Sequence, residues 1–148
     1  MKLKDVVYVS IQFILFLVYA LAPQARVFYF QGILKDFFLL ITVLGGLVLL
    51  LALLQLNKNL SPFPTPKTNG KLIVIGLYRW VRHPIYSGIL LLAFGYALFS
   101  ESLNRLLIAF SLLVLFYFKS TYEEKLLNQK FPNYKNYKQT TGRFFPFL

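Results

Sequence analysis

The side chains best suited to chemistry gather in one stretch, Gly76-Leu77-Tyr78-Arg79-Trp80-Val81-Arg82-His83-Pro84-Ile85-Tyr86-Ser87-Gly88. Its aromatic faces suit a small cation, a sulfonium among them, because ring quadrupoles attract positive charge. Arg82 and His83 offer donors to a carboxylate or to ribose hydroxyls. A second candidate is the acidic pair Glu123-Glu124, conspicuous because the chain carries only five acidic residues. Plainer roles exist for several of these positions. Trp80 suits an interfacial anchor, Arg79 a lipid-facing charge, and Pro84 the first turn of a helix. The acidic pair could be a solvated face that balances Lys125 and Lys130.

The absences narrow the chemistry further. With one His and no Cys, neither a two-histidine metal site nor a thiolate nucleophile can be built, and no metal is expected. No nucleophile elbow accompanies His83, and there is no glycine-rich phosphate loop. Chemistry that asks little of the protein remains. Methyl transfer from an already activated sulfonium needs chiefly the alignment of nucleophile, methyl carbon and sulfur.

The elements that position these residues belong to a membrane. Of 148 residues 57% are hydrophobic and 14% charged, against roughly 25% charged in a soluble domain. Four apolar stretches, at about 6–22, 37–56, 84–100 and 103–118, read as transmembrane helices; the second has the ~20 residues of a full crossing and the other three are at the short end, so the third and fourth could instead form a shallow hairpin. The expected fold is one all-α integral membrane domain over 1–148. The first stretch resembles a signal peptide, but Pro23 after Ala20-Leu21-Ala22 hinders cleavage, so it is expected to stay as a helix. With both termini cytosolic, 13 of the 16 basic residues fall in cytosolic segments and Arg26, Lys35 and Arg105 outside, the positive-inside pattern. The net charge of +11 is thereby explained by membrane lipids, and no nucleic-acid motif accompanies it. Between the second and third spans, Ser61-Pro62-Phe63-Pro64-Thr65-Pro66 must be extended, Lys71-Leu72-Ile73-Val74-Ile75 is strand-like, and the loop should lie against the membrane face. After the fourth span, 119–130 should continue as a helix until Pro132, followed by an interfacial tail of Tyr, Phe and Lys.

Arg82-His83-Pro84-x-Tyr86-x-Gly88, preceded by Gly76-x-Tyr78, resembles the signature of the isoprenylcysteine carboxyl methyltransferase and phospholipid methyltransferase superfamily. Its second block is matched by Glu123-Glu124-Lys125-Leu126-Leu127, then Phe131, Tyr134, Tyr137 and Arg143-Phe144-Phe145-Pro146. The resemblance covers about residues 60 to 148. It implies S-adenosylmethionine as cofactor, held by Tyr78, Arg82, His83, Pro84, Ile85, Tyr86 and Glu123, with backbone from Leu72 and Ile73. It further implies a lipophilic or lipid-linked methyl acceptor at the cytosolic face, in a small prokaryotic plasma-membrane protein. Prenylcysteine-type members carry an Arg one turn before the Glu, where it handles the substrate carboxylate; here Lys119 stands there, without the bidentate fork of Arg. Lys119 and Glu123 are therefore the expected catalytic residues. Membrane reductases that use NADPH share a similar His-Pro-x-Tyr segment but are longer, and a non-catalytic protein on the same scaffold is the other alternative.

Overall fold

A computed structural model describes residues 2–146. The chain forms α1 (Leu3–Leu21), α2 (Ile33–Leu56), α3 (Pro84–Phe99), α4 (Leu103–Lys130) and α5 (Tyr134–Thr140), with 3-10 turns at Asn57–Asn59 and Gly76–Arg79. Among the described residues there is no strand; Arg26 pairs with Ser102 and Val81 with Gly142 as isolated bridges. The strand-like run 71–75 is thus irregular, because no neighbouring segment offers it a ladder. The fold is an all-α membrane protein. Helices α1, α2 and α4 are long and apolar enough to cross a bilayer, and α3 is a shorter apolar helix of 16 residues.

Helix α3 is the centre of the bundle. It packs against α2 on one side and α4 on the other, and α1 completes the row beyond α4. Small residues bring α2 and α3 together: a Cβ on Gly88 would lie 2.6 Å from the Leu49 nitrogen, and one on Gly95 2.7 Å from Thr42 Oγ1. Close backbone approach through small residues is how helices associate in lipid, where apolar side chains gain no hydrophobic free energy by exchanging lipid tails for one another. The core on the other side is Leu90, Ala93, Ala109, Leu112, Phe116 and Phe144. Large apolar side chains such as Phe13, Leu17, Leu40, Leu47, Leu54 and Val114 remain exposed, as lipid-facing residues should be.

Helix α4 has 28 residues, about 42 Å at 1.5 Å per residue. That exceeds a hydrocarbon core of about 30 Å, so its last turns project beyond it and carry Glu123 and Glu124 clear of the span. Phe131, Pro132 and Asn133 then turn the chain into α5, a short helix absent from the sequence-based expectation of an interfacial tail.

Candidate functional site

The site is built where α2, α3 and the projecting end of α4 meet the long loop. Gln55, near the end of α2, accepts a hydrogen bond from the Leu77 nitrogen at 2.8 Å. Gly76 beside it has φ +61°, and a Cβ there would meet the Gln55 amide at 2.5 Å. Only glycine fits both demands, and the resulting turn delivers Tyr78, whose hydroxyl reaches the Ala52 carbonyl at 3.4 Å. His83 is the N-cap residue and Pro84 the first residue of α3, a position where proline loses no hydrogen bond.

These elements enclose a cavity of about 370 Å³, within the range of small-molecule sites. Leu72, Ile73, Tyr78, Arg82, His83, Ile85, Tyr86, Lys119 and Glu123 all line it. Pro84 does not; it is buried behind the cavity as the helix-opening residue. The ring of Tyr86 is sandwiched between His83 (5.4 Å, 9°) and Phe116 (4.6 Å, 10°), and its hydroxyl donates to Glu123 Oε2 at 2.9 Å. Lys119 Nζ lies 5.5 Å from the Tyr86 ring centroid. It donates to Gln12 Oε1 at 2.6 Å and to the Pro62 carbonyl at 2.9 Å. At 1% exposure, Lys119 does not snorkel to an interface.

The neighbouring glutamates divide their work. Helix geometry turns successive side chains about 100° apart, so Glu123 meets the cavity while Glu124 is buried away from it. Glu124 gathers nitrogen partners: Arg82 Nε at 2.8 Å, His83 Nε2 at 3.2 Å and Lys138 Nζ at 2.7 Å. Burial opposes its ionisation, but the hydrogen bonds from His83, Lys138 and Arg82 outweigh that and hold its carboxyl well below the usual carboxylate range. Arg82 is committed as well, with further bonds to the Lys138 and Thr141 carbonyls. Its guanidinium is engaged by protein even though the residue borders the cavity.

The C-terminal segment roofs the site. Arg82 N donates to the Gly142 carbonyl at 2.9 Å, His83 N to Arg143 at 3.1 Å, and Ser87 Oγ to Phe144 at 2.6 Å. Phe131, Tyr134 and Tyr137 close the cavity from above, and the Tyr137 hydroxyl donates to the Tyr78 carbonyl. Burial pushes the Tyr78 hydroxyl above the ordinary phenol value, with help from Glu123, and pushes Tyr137 up to about 12. Both stay protonated as donors. Two buried hydroxyls of cavity-lining residues, Thr65 Oγ1 and Tyr134 Oη, find no hydrogen-bond partner among the described residues.

Sequence reasoning missed Gln12 and the Pro62 carbonyl, which hold Lys119, and the latch role of Glu124. Gln12 carried a readable signal, as an amide inside an apolar span. Pro62 carried none, since any residue supplies a carbonyl.

Among curated proteins none matches this chain. The model of one family, phospholipid methyltransferase, matches residues 33–134, from the start of α2 to the start of α5. That span covers the cavity walls except α1 and most of the C-terminal roof, and it implies a methyltransferase acting on a membrane substrate. With well over half its length matched, the chain belongs to the phospholipid methyltransferase family.

Proposed function

We propose that the chain transfers a methyl group from S-adenosylmethionine, bound in this cavity, to a lipophilic acceptor that enters from the bilayer. The observation that carries the proposal is the cavity's chemistry: the Glu123 carboxylate that faces it suits the positive charge of a sulfonium, and the hydroxyls of Thr65 and Tyr134 have no hydrogen-bond partner among the described residues. An unsatisfied buried polar group is costly, so two of them among the cavity-lining residues favour a polar ligand. When bound, S-adenosylmethionine supplies an activated methyl whose carbon–sulfur bond breaks as the acceptor's bond to carbon forms. The protein's part is alignment. Tyr78, His83, Ile85 and Tyr86, with backbone at Leu72 and Ile73, hold the cofactor; Glu123 faces its positive charge; Pro84 opens the helix that presents them. Arg82 acts indirectly, by fixing Glu124 and the roof. Lys119 orients the acceptor at the end of the cavity next to α1 and lowers the charge cost of its approach.

We place the cavity end and both termini in the cytosol of a prokaryotic plasma membrane, since Lys67, Lys71, Lys125, Lys130, Lys135 and Lys138 all belong to that end. A single cysteine introduced at position 69 should label from the cytosolic side; labelling only from outside would sink this orientation.

Calorimetry in detergent tests the function. S-adenosylmethionine should bind, and Glu123→Gln should weaken it at least tenfold, about 1.4 kcal/mol. Lys119→Met should leave that affinity near wild type while cutting turnover tenfold or more. No binding by the wild-type chain would end the proposal.

A further inference from the structure

On the lipid-facing side of the bundle, α1 and α4 leave an open groove of about 670 Å³ between them. Ile11 and Leu15 line it from α1, and Phe110, Val114, Leu115 and Phe118 from α4. It shares no lining residue with the cavity that Glu123 faces, and α1 lies outside the residues matched by the family model. The Ser111 hydroxyl at its wall donates to the Leu107 carbonyl at 3.0 Å, so it asks nothing of an occupant. Helix α1 has little else to hold it. It packs on α4, yet of its 19 residues only Asp5, Val9 and Gln12 are buried.

From Phe110 to Phe118 the groove runs about 12 Å along α4 at 1.5 Å per residue. That is most of the ~15 Å of one leaflet's hydrocarbon. Toward the cavity end of the bundle, both groove faces pass into a tyrosine and then a lysine. On α1, Tyr8 lines the groove and Lys4 stands one turn before it. On α4, Tyr122 stands one turn after Phe118 and Lys125 two turns after, so each set keeps to one helix face. Tyr8 stacks on Tyr122 at 5.9 Å, and Lys4 Nζ lies 5.7 Å from the Tyr122 ring centroid. Both lysines are exposed. No carboxylate answers them. Asp5 is 1% exposed and Glu124 2%, Glu123 faces the cavity, and Asp36 and Glu101 belong to the opposite end.

We propose that this groove binds one anionic glycerophospholipid from the leaflet on the cavity side, which splints α1 to α4. One acyl chain lies along Ile11, Leu15, Val114 and Phe118, and the phosphate sits between Lys4 and Lys125. Basic side chains beside a span attract anionic head groups, and tyrosines suit the level where hydrocarbon meets water. A second copy of the chain fits the groove less well. A two-fold contact there would bring Lys4 and Lys125 of both copies together with no carboxylate between them. The inference stands apart from the methyl-transfer reading, and its test needs no S-adenosylmethionine.

The full chain, delipidated in detergent, is titrated with phosphatidylglycerol or with phosphatidylcholine of the same acyl chains. Native mass spectrometry counts the retained lipid, and the unfolding midpoint is read in parallel. Phosphatidylglycerol should bind once per chain, at least tenfold more tightly than phosphatidylcholine, and raise the midpoint. Replacing both lysines, Lys4→Gln with Lys125→Gln, should weaken its binding at least fivefold. Arg79→Gln with Lys135→Gln removes the same charge from exposed positions elsewhere at that end, and should leave binding within twofold. Val114→Trp fills the groove with both lysines intact and should also weaken binding at least fivefold. Should it fail to fold, Ser111→Phe fills the groove from an exposed position. Equal affinity for the two lipids, an unmoved midpoint, or equal losses from the two charge-removing pairs overturns the proposal. So does undiminished binding by the groove-filling variant, or a wild-type dimer that this variant abolishes, which would assign the groove to a second copy.

Discussion

Each end of the bundle is organised around a buried glutamate, but the two ends differ in what that glutamate encloses. At the end formed by the α1–α2 and α3–α4 connections, Glu101 is 2% exposed. It accepts from the Phe30 nitrogen at 3.1 Å and faces Lys35 Nζ at 3.6 Å. At the other end Glu124, also 2% exposed, meets Arg82 and His83 just before α3 and Lys138 in α5, with Arg143 farther off at 3.8 Å. Glu101 ties one loop to another. Glu124 ties a roof over a hollow, and the residue before it is free to face that hollow. The lesson concerns allocation: a carboxylate spent entirely on structure is what lets its neighbour serve a ligand.

The largest effect should follow from removing Glu124. Glu124→Ala leaves Arg82, with a side chain 8% exposed, buried without its counter-charge, and His83, 5% exposed, without the carboxylate at its Nε2. Breaking a buried pair from one side costs about 3–5 kcal/mol, to be read as a lowered unfolding midpoint in detergent. The C-terminal segment should also become sensitive to limited proteolysis. A variant as stable and as protease-resistant as wild type would erase the contrast between the two ends.

Acid should weaken the same latch. The carboxyl of Glu124 is held below its ordinary value of 4.5 in the folded chain. A depressed carboxylate contributes stability that is fully present above that ordinary value and is lost as pH falls through the folded one. Unfolding midpoints should therefore drop on acidification below about pH 4.5, and Glu124→Gln should flatten that part of the profile. A Glu124→Gln profile as steep as wild type would assign the acid sensitivity to another group.

The α2–α3 seam offers a matched pair of smaller perturbations, one toward each end. A Cβ at Gly88 would press on the Leu49 backbone and one at Gly95 on Thr42, so each alanine variant should cost about 1–3 kcal/mol through overpacking. Their ligand effects should diverge. Leu49 and the flanking Ile85 and Ile89 line the cavity, so Gly88→Ala should weaken S-adenosylmethionine binding several-fold, while Gly95→Ala should leave it unchanged. Equal effects of the two variants would mean that the seam moves as one piece.

Much of this was legible before any coordinates. Apolar length marked the spans to within a few residues, since lipid imposes one rule on every position. The Arg82–Tyr86 block and Glu123 were readable because scarce polar residues in an apolar chain stand out. What stayed hidden depends on orientation. Only the resemblance picks Glu123 over Glu124; physically, the register of α4 against α3 decides which carboxylate faces the cavity. Arg82 read as a ligand donor because its partner lies 42 residues away. Residues 71–75 read as a strand because β-branched, apolar residues suit one, but a strand needs a neighbour. The α5 helix and the roof were invisible because their anchors are backbone carbonyls at Gly142, Arg143 and Phe144.

The smallest effect should come from Glu101, and its smallness tests the comparison most sharply. Counted by burial alone, Glu101 and Glu124 are equivalent, and a rule based on burial would assign them equal cost. Their partners differ. Lys35 has a side chain 40% exposed, so its charge stays hydrated when Glu101 is removed, and exposed pairs contribute about 0–1 kcal/mol. The Phe30 nitrogen loses its acceptor, but Phe30 is only partly buried and water can replace a hydrogen bond worth about 1 kcal/mol. Glu101 also sits at φ +56°, a conformation unfavourable for any side chain, so the wild-type residue already carries some strain that alanine would neither add to nor relieve. Glu101→Ala should therefore lower the midpoint of the same detergent unfolding far less than Glu124→Ala does, and leave S-adenosylmethionine affinity within twofold. If Glu101→Ala instead cost as much as Glu124→Ala, burial of the carboxylate would be the deciding quantity, and the number of buried cations it serves would not.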